Sequence, residues 1–291
     1  MSEPTKISVV IFINPLAGNG RFAAVESAVL KYLIHHKIEH IVFTDNWPIE
    51  IPSCTHVFII GGDGTINFFV NDYPFNRVPV SVFKAGTGND FAWKLYSDIP
   101  VAAQIQKALN GEVHLVDAGE CNGKFFLNGV GIGFDGAVVQ DMRRSLKVFT
   151  GWFAYYYSVL KTINGFGSKL MSVSYSIGAD NTCEDETKIF MITIANGSRF
   201  GGDFIVAPEA VVDDGKFELV IIHAVPIWKR YLYLPRMKKG RHTSLPFVKS
   251  VQITSVKIKA REPVPAHLDG EWMFDDNFEI IMHPGRFAFR Y

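Results

Sequence analysis

A layered α/β domain followed by a β-rich domain is the architecture this sequence predicts, and three observations predict it. From Ile7 to Asn110, apolar runs of strand length alternate with stretches of helical periodicity, the pattern of a sheet covered by helices. Three of those runs end in polar loops that carry glycine. Beyond Gly111, short strand-like segments separated by turn residues dominate.

The elements follow in order. Ile7–Ile13 reads as a buried strand that breaks at Asn14-Pro-Leu-Ala-Gly-Asn-Gly20, a turn-rich loop. Arg21–His36 is helical by period, with Phe22, Val25, Val29, Tyr32 and Leu33 on one face. His40–Thr44 and Val57–Ile60 read as the second and third strands, and Thr65–Asn71 as a helix start. Val78–Phe83 is a fourth strand closed by Lys84-Ala-Gly-Thr-Gly88, with helical stretches at Asp90–Tyr96 and Val101–Asn110. In the second half, strands are expected at Val113–Asp117, Lys124–Gly129, Met171–Ile177, Ile189–Ala195, Phe217–Ile222, Val251–Ala260 and Phe278–His283. Two helical patches, Ala137–Leu160 and Ile227–Lys239, interrupt them. This set fits a β-sandwich or a bent sheet. The boundary falls near residues 111–121, which divides the chain into 1–117 and 118–284.

Bulk composition excludes several classes. The 29 Lys and Arg balance the 29 Asp and Glu, so no global basic field argues for nucleic acid. No basic stretch precedes a long apolar segment, and no apolar run approaches the ~20 residues of a membrane helix. A soluble or peripheral chain is expected. Cys54, Cys121 and Cys183 are scattered and odd in number, which suits a reducing compartment rather than a disulfide framework. The sequon Asn196-Gly-Ser198 then carries no meaning. The nine histidines show no metal-ligand spacing: His35, His36 and His40 read as solvated, and His267 and His283 are of interest by position alone.

The strongest local signal is Gly61-Gly-Asp-Gly-Thr65, after a buried strand and before a helix. Glycines let backbone approach a phosphate, and a helix N-terminus supplies amide donors. Asp63 would repel bare phosphate and makes sense through Mg²⁺ or its water shell. Alone, Gly-Asp-Gly is ordinary turn chemistry. It is joined by Asn14-Pro-Leu-Ala-Gly18 after the first strand and Gly86-Thr-Gly-Asn-Asp90 after the fourth. All three stand at carboxyl ends of strands, where open α/β sheets bind ligands.

These motifs, in this order and spacing, resemble the diacylglycerol kinase catalytic-domain family, which includes bacterial lipid kinases, sphingosine kinases and ceramide kinases. Ala195-Asn-Gly-Ser-Arg-Phe-Gly-Gly-Asp-Phe204, Ala207-Pro-Glu-Ala210, Asp213-Asp-Gly215 and Leu268-Asp-Gly-Glu271 extend the resemblance to the C-terminus. It implies an α/β nucleotide-binding domain followed by a β-sandwich lipid-substrate domain, an active site in the interdomain cleft, and residues 285–291 returning to the first domain. It implies ATP and Mg²⁺ as cofactors and a lipid alcohol as acceptor, with diacylglycerol the default. Sphingoid bases and phosphatidylglycerol are other acceptors to test.

Residue by residue, the resemblance gives Asn14, Gly61, Gly62, Asp63, Gly64, Thr65 and Asn67 to the ATP phosphates, with Asp63 central to the catalytic Mg²⁺ network. Thr44, Gly86 and Thr87 would lie on the nucleotide side, and Asp90 would order the second glycine loop. Glu271 would be the general base, a task a carboxylate suits. Asp214, with backbone carbonyls near Val211 and Lys216, would hold a structural Mg²⁺. Outside this context, Asp213-Asp-Gly215 reads as a hairpin turn and Glu271 as a turn residue after Asp269-Gly270.

Lys84 stands where the family usually has proline, and Trp93 where arginine is frequent. We read Lys84 as solvated. Gly131-Ile-Gly-Phe-Asp-Gly136 fits a dinucleotide fingerprint without a βαβ unit around it, and reads as close backbone packing. The stripe Trp152–Tyr157 reads as core. Trp228–His242 mixes aromatic and basic residues and suits either an interfacial segment or a solvated helix. The resemblance also implies a cytoplasmic protein, with peripheral contact at the inner membrane face and homodimers to be expected. Two rivals are a soluble-acceptor kinase such as NAD kinase, and a non-catalytic nucleotide or lipid sensor on the same fold.

Overall fold

The computed structural model describes residues 6–145, 152–178 and 180–291. The chain divides into two compact units, Met1–Val116 with Gly285–Tyr291, and Asp117–Pro284.

The first unit begins with strand β1 (Ser8–Ile13), a 3₁₀ turn (Ala17–Gly20) and helix α1 (Arg21–His35). Strands β2 (Glu39–Phe43) and β3 (His56–Gly61), helix α2 (Asp63–Asp72) and strand β4 (Val80–Lys84) follow. Helices α3 (Asp90–Tyr96) and α4 (Val101–Asn110) complete the run. All four strands are parallel, in the spatial order β2-β1-β3-β4. β1 and β3 are nearly continuous apolar runs because both faces are covered. Val9, Ile11 and Ile13 point with Phe58 and Ile60 toward α1 and α4. Phe12 points the other way, into a cluster with Phe43, Trp47, Phe69 and Tyr73. Leaving β1 in one direction and β3 in the other makes the β1/β3 edge a topological switch point, the place where open α/β sheets take ligands.

The C-terminal residues add a fifth parallel strand. Phe289 pairs with Val80, and the Arg290 carbonyl accepts from the Ser81 and Tyr96 hydroxyls at 3.1 and 2.7 Å.

The second unit contains β5 (Val113–Cys121), which starts in the first unit, then β6 (Lys124–Phe126) and β7 (Gly129–Gly133). Helices α5 (Phe134–Ser145) and α6 (Trp152–Gly165) come next, then β8 (Lys169–Ile177), β9 (Asp180–Ala195), and the short pair β10 (Arg199–Phe200) and β11 (Phe204–Ile205). β12 (Phe217–His223), α7 (Ile227–Lys238), β13 (Val248–Ile253), β14 (Ser255–Leu268) and β15 (Glu271–Arg290) complete it. β9 and β14 are long enough to change partners: each pairs with β8 along its first half and with β7 along its second. The circuit β7–β9–β8–β14 therefore closes, and the antiparallel strands enclose a core that includes Phe126, Ile192, Phe217 and Phe278. A second apolar cluster covers the outer side of β9 and β12 with residues of α5, α6 and α7.

Several predicted bounds differ. The single helical patch Ala137–Leu160 is two helices, and residues 146–151 between them lie outside the described residues. The strand expected over Val251–Ala260 is two, divided at Thr254, and β14 runs on through Pro263 and Pro265. The pairing of β14 with β15 slips between Lys259 and Val264, so Pro263 falls in a bulge where its missing N–H breaks no ladder bond. The strand expected at Phe278–His283 is much longer, running from Glu271 to Arg290.

Candidate active site

In the first unit, three loops leave the carboxyl ends of β1, β3 and β4 and lock together through backbone. The Asn14 amide N–H donates to the Ile60 carbonyl at 3.2 Å, and that of Ala85 to Gly61 at 2.9 Å. The approach is so close that side chains are excluded. A Cβ on Gly86 would lie 2.4 Å from the Gly62 Cα, and one on Gly18 would lie 2.0 Å from the Ala85 carbonyl oxygen. Gly18 also has φ of +60°.

Polar side chains tie the loops further. Asn14 Nδ2 donates to Thr65 Oγ1 at 3.0 Å, and Asn14 Oδ1 accepts the Leu16 amide at 2.9 Å. Gly61 leaves room for Thr65, whose Oγ1 would lie 2.4 Å from an added Cβ. Asp63 opens α2, and both of its oxygens are engaged: Oδ2 accepts the Asp90 amide at 3.0 Å and Oδ1 the Phe91 amide at 3.1 Å. Asp63 thus caps α3 and joins the second loop to the third, where a carboxylate meets free amides and the positive helix end.

Asn89 closes the third loop from within. It sits at φ of 52°, its Oδ1 accepts the Gly86 amide at 2.8 Å, and its Nδ2 donates to the Gly86 carbonyl at 2.9 Å. Asparagine tolerates the left-handed region, which is the sequence signal for its place in this loop. Asp90 itself is buried, while Thr87 is exposed at the loop tip and Thr44 stands half-buried just past β2. Asn67 lies buried on α2, where its carbonyl accepts from Asn71. Gly64, in the first turn of α2, is half-buried. Lys84 corrects the solvated reading: its side chain is 18% exposed, and Nζ donates to the Ser97 carbonyl at the end of α3 at 2.5 Å and faces Asp98 at 3.4 Å.

In the second unit, Glu271 begins β15, directly across the two-residue turn Asp269-Gly270 from Leu268. Both turn residues have positive φ, 48° and 86°, as the tight hairpin turn requires. Glu271 projects to solvent, with Arg143 at 3.6 Å. Beneath it, Asp269 is buried and accepts three backbone amides, Leu127 at 2.8 Å, Asn128 at 2.9 Å and Gly129 at 2.8 Å. The buried His267 accepts the Gly270 amide at Nδ1, 3.3 Å, which leaves the proton on Nε2, 3.0 Å from Asp135. The exposed carboxylate is therefore carried on a turn fixed by two buried groups, Asp269 and His267. Gly131 makes the space: its Cβ would lie 2.4 Å from His267 Nε2 and 2.5 Å from Asp135 Oδ2. The fingerprint-like run from Gly131 to Gly136 is thus close packing, as read.

The Asp213-Asp-Gly215 segment is a turn before β12. Asp214 is exposed and its Oδ1 accepts the Lys216 amide at 3.0 Å, while buried Asp117 accepts the Gly215 amide at 2.6 Å and holds the turn from below. Among the described residues no three His, Cys, Asp or Glu side chains gather to hold a metal ion. One exposed carboxylate with the carbonyls of Val211 and Lys216 is an all-oxygen set, and it fits a Mg²⁺ that keeps most of its water. Asn196 of the sequon is fully buried, its Nδ2 donating to the Asp117 and Leu127 carbonyls, so it is a core residue. Glu218 anchors the Ala207–Ala210 loop by accepting the Glu209 amide. Burial pushes its carboxyl above the usual range, with the Ser250 hydroxyl acting against that.

Comparison with known proteins bears on these loops and turns. Residues 8–121 match the diacylglycerol kinase catalytic domain, and residues 128–288 match the YegS C-terminal NAD kinase beta sandwich-like domain. The chain is 29% identical to the diacylglycerol kinase of Bacillus subtilis over 221 residues, 74% of this chain and 71% of that one. It is 28% identical to the diacylglycerol kinase of Staphylococcus carnosus over 219 residues, 74% of this chain and 70% of that one. Among solved structures, a diacylglycerol kinase from Bacillus anthracis superposes with a TM-score of 0.72 at 20% identity, covering 99% of this chain and 98% of its own. An NAD kinase from Archaeoglobus fulgidus in complex with ATP superposes with a TM-score of 0.55 at 14% identity, covering 98% of this chain and 94% of that one. Both structural likenesses are of fold. With both domains matched in order, the chain belongs to the diacylglycerol kinase-like family, ATP-dependent kinases with an alcohol group as phosphoryl acceptor.

Proposed function

We propose that this chain transfers the γ-phosphoryl group of ATP to a lipid hydroxyl, with diacylglycerol as the default acceptor. The observation that carries the reading is the backbone lock of three glycine loops at the switch point of the parallel sheet, where only glycine fits and a helix N-terminus opens. Asn14, Gly61, Gly62, Gly64, Thr65, Asn67, Gly86 and Thr87 form the nucleotide side, with Thr44. Asp63 and Asp90 keep the second and third loops in register. Such a site works by positioning, since the transferred group needs little covalent help.

In the acceptor half, the lipid O–H gives its proton to the Glu271 carboxylate as its oxygen bonds to the γ-phosphorus. The bond from that phosphorus to the β–γ bridging oxygen breaks, and ADP leaves. Asp269 and His267 set the turn that presents Glu271. Asp214, with the Val211 and Lys216 carbonyls, would hold Mg²⁺, which supplies charge neutralisation in phosphoryl-transfer sites. ATP supply puts the reaction on the cytoplasmic side, with the acceptor drawn from the inner membrane face. No helix among the described residues is long and apolar enough to cross a membrane.

The test is transfer from γ-labelled ATP to a mixed-micelle panel of diacylglycerol, sphingosine and phosphatidylglycerol, beside NAD without lipid. A labelled lipid, lost in Glu271→Gln, supports the reading and names the acceptor. Labelled NADP alone would overturn it in favour of the soluble acceptor that the NAD kinase likeness suggests.

A further inference from the structure

Helix α7 carries apolar residues on two sides, one of them facing out. Its outward residues are Ile227, Trp228, Tyr231 and Leu232, exposed by 46%, 64%, 40% and 58%. Pro235, one turn beyond Tyr231, is exposed beside them. A surface helix ordinarily turns such residues to the core and its charges to water. Here the inward side carries Arg230, whose guanidinium lies 4.1 Å over the Phe190 ring and donates to the Ile163, Phe166 and Val225 carbonyls. Leu234 and Met237 pack inward beside it, so the arginine and one apolar side hold the helix to the unit while a second apolar side lies outside.

The helix and the residues just after it are basic. From Ile227 to Arg241 the chain has six Lys or Arg and no Asp or Glu, although the whole chain is neutral. Arg236, Lys239 and Arg241 are exposed at and just beyond the end of α7, and Lys229 lies 5.4 Å over the Trp228 ring. Lys238 is satisfied by Asp203 at 2.5 Å and is not counted with them.

We propose that α7 is a docking surface for an anionic lipid bilayer. Trp228, Tyr231, Leu232 and Ile227 enter the boundary between headgroups and acyl chains, and Lys229, Arg236, Lys239 and Arg241 meet lipid phosphates. Aromatic side chains with one apolar and one polar end suit that depth, and basic residues at the rim draw the helix to negative lipid. The choice of a bilayer over a protein partner rests on the lipid-kinase reading above.

The full chain is sedimented with vesicles of phosphatidylcholine alone and of phosphatidylcholine with phosphatidylglycerol, without ATP. The expected result is binding to the anionic vesicles that weakens as salt rises to about 0.5 M. Trp228→Ser with Leu232→Ser, and separately Arg236→Glu with Lys239→Glu, should each lower partitioning by roughly tenfold or more. All four side chains are exposed, so unchanged circular dichroism is expected. Wild-type binding by both double variants, or equal binding to neutral vesicles, would overturn the proposal. So would a dimer that disperses in Trp228→Ser/Leu232→Ser with vesicle binding unchanged, which would make a second copy the occupant. Phosphate transfer to detergent-dispersed lipid separates the two readings. Transfer without vesicle binding removes the docking surface alone. Binding through α7 without transfer to any lipid removes the lipid-kinase reading alone.

Discussion

Gly86→Ala tests the phosphate loops most directly. The added Cβ would sit 2.4 Å from the Gly62 Cα. Two carbons in contact want about 3.5–4.0 Å, so the loops after β3 and β4 must part by roughly 1 Å or more. Both atoms are backbone or bonded to it, so no rotamer change relieves the clash. Displacement on that scale at a positioning site costs about 100-fold in rate, or ~2.7 kcal/mol of transition-state stabilisation. Overpacking should also lower stability, by about 1–3 kcal/mol. The assay is kcat/KM for ATP at saturating lipid, with calorimetric binding of a non-hydrolysable ATP analogue. Gly167→Ala is the control, because an added Cβ there meets nothing within 4 Å. The expected result is a ~100-fold loss with weakened nucleotide binding for Gly86→Ala and no change for the control. A folded Gly86→Ala protein that binds and uses ATP normally would refute the assignment of these loops to phosphate.

Three further outcomes follow from the same structure. Asp269→Asn puts an N–H₂ group where a carboxylate oxygen now accepts a backbone amide, so the denaturation midpoint should fall by an amount worth about 2–4 kcal/mol; an unchanged midpoint would remove Asp269 as the anchor of the Glu271 turn. Glu271→Gln, at an exposed position, should leave stability and nucleotide binding intact and lower kcat by about 10²–10⁴-fold, so retained turnover would dismiss it as the base. Burial pushes the His242 imidazole below its ordinary 6.5, so the unfolded chain takes up a proton that the folded chain resists as pH falls below that value. Stability should decline as pH falls through about 6.5 and below, with a smaller decline in His242→Leu; identical profiles for the two proteins would contradict this.

Much of the first unit was legible because its signals are local. Strands buried on both faces show as unbroken apolar runs, and the loops that end them carry the glycines that close backbone approach demands. The second unit was less legible because its long strands change partners midway. β9 and β14 each serve two neighbours, so no single alternation runs their length, and Pro263, Asp275 and Asn277 sit in β14 and β15 while looking like breakers. The outward apolar side of α7 was visible as composition, but its direction was not. The inward bonds of Arg230 and the burial of Leu234 show which side of the helix is wet.

The acidic motifs differ in ways that spacing alone does not show. Asp63, Asp269 and Asp214 all lie beside glycine, because a turn needs both a small residue and an acceptor for its freed amides. In sequence they look equivalent. In the fold they separate by what their oxygens already hold. Asp63 accepts two amides at the start of α3, and Asp269 accepts three beneath a hairpin. Glu271 and Asp214 are exposed, each at a turn that a buried aspartate holds in place, Asp269 for one and Asp117 for the other. An exposed carboxylate on a turn held from below can reach a hydroxyl or a hydrated cation, with Asp214 Oδ1 also accepting the Lys216 amide at 3.0 Å. That difference, invisible in the motif, is the physical ground on which the proposed function gives chemistry to Glu271 and Asp214.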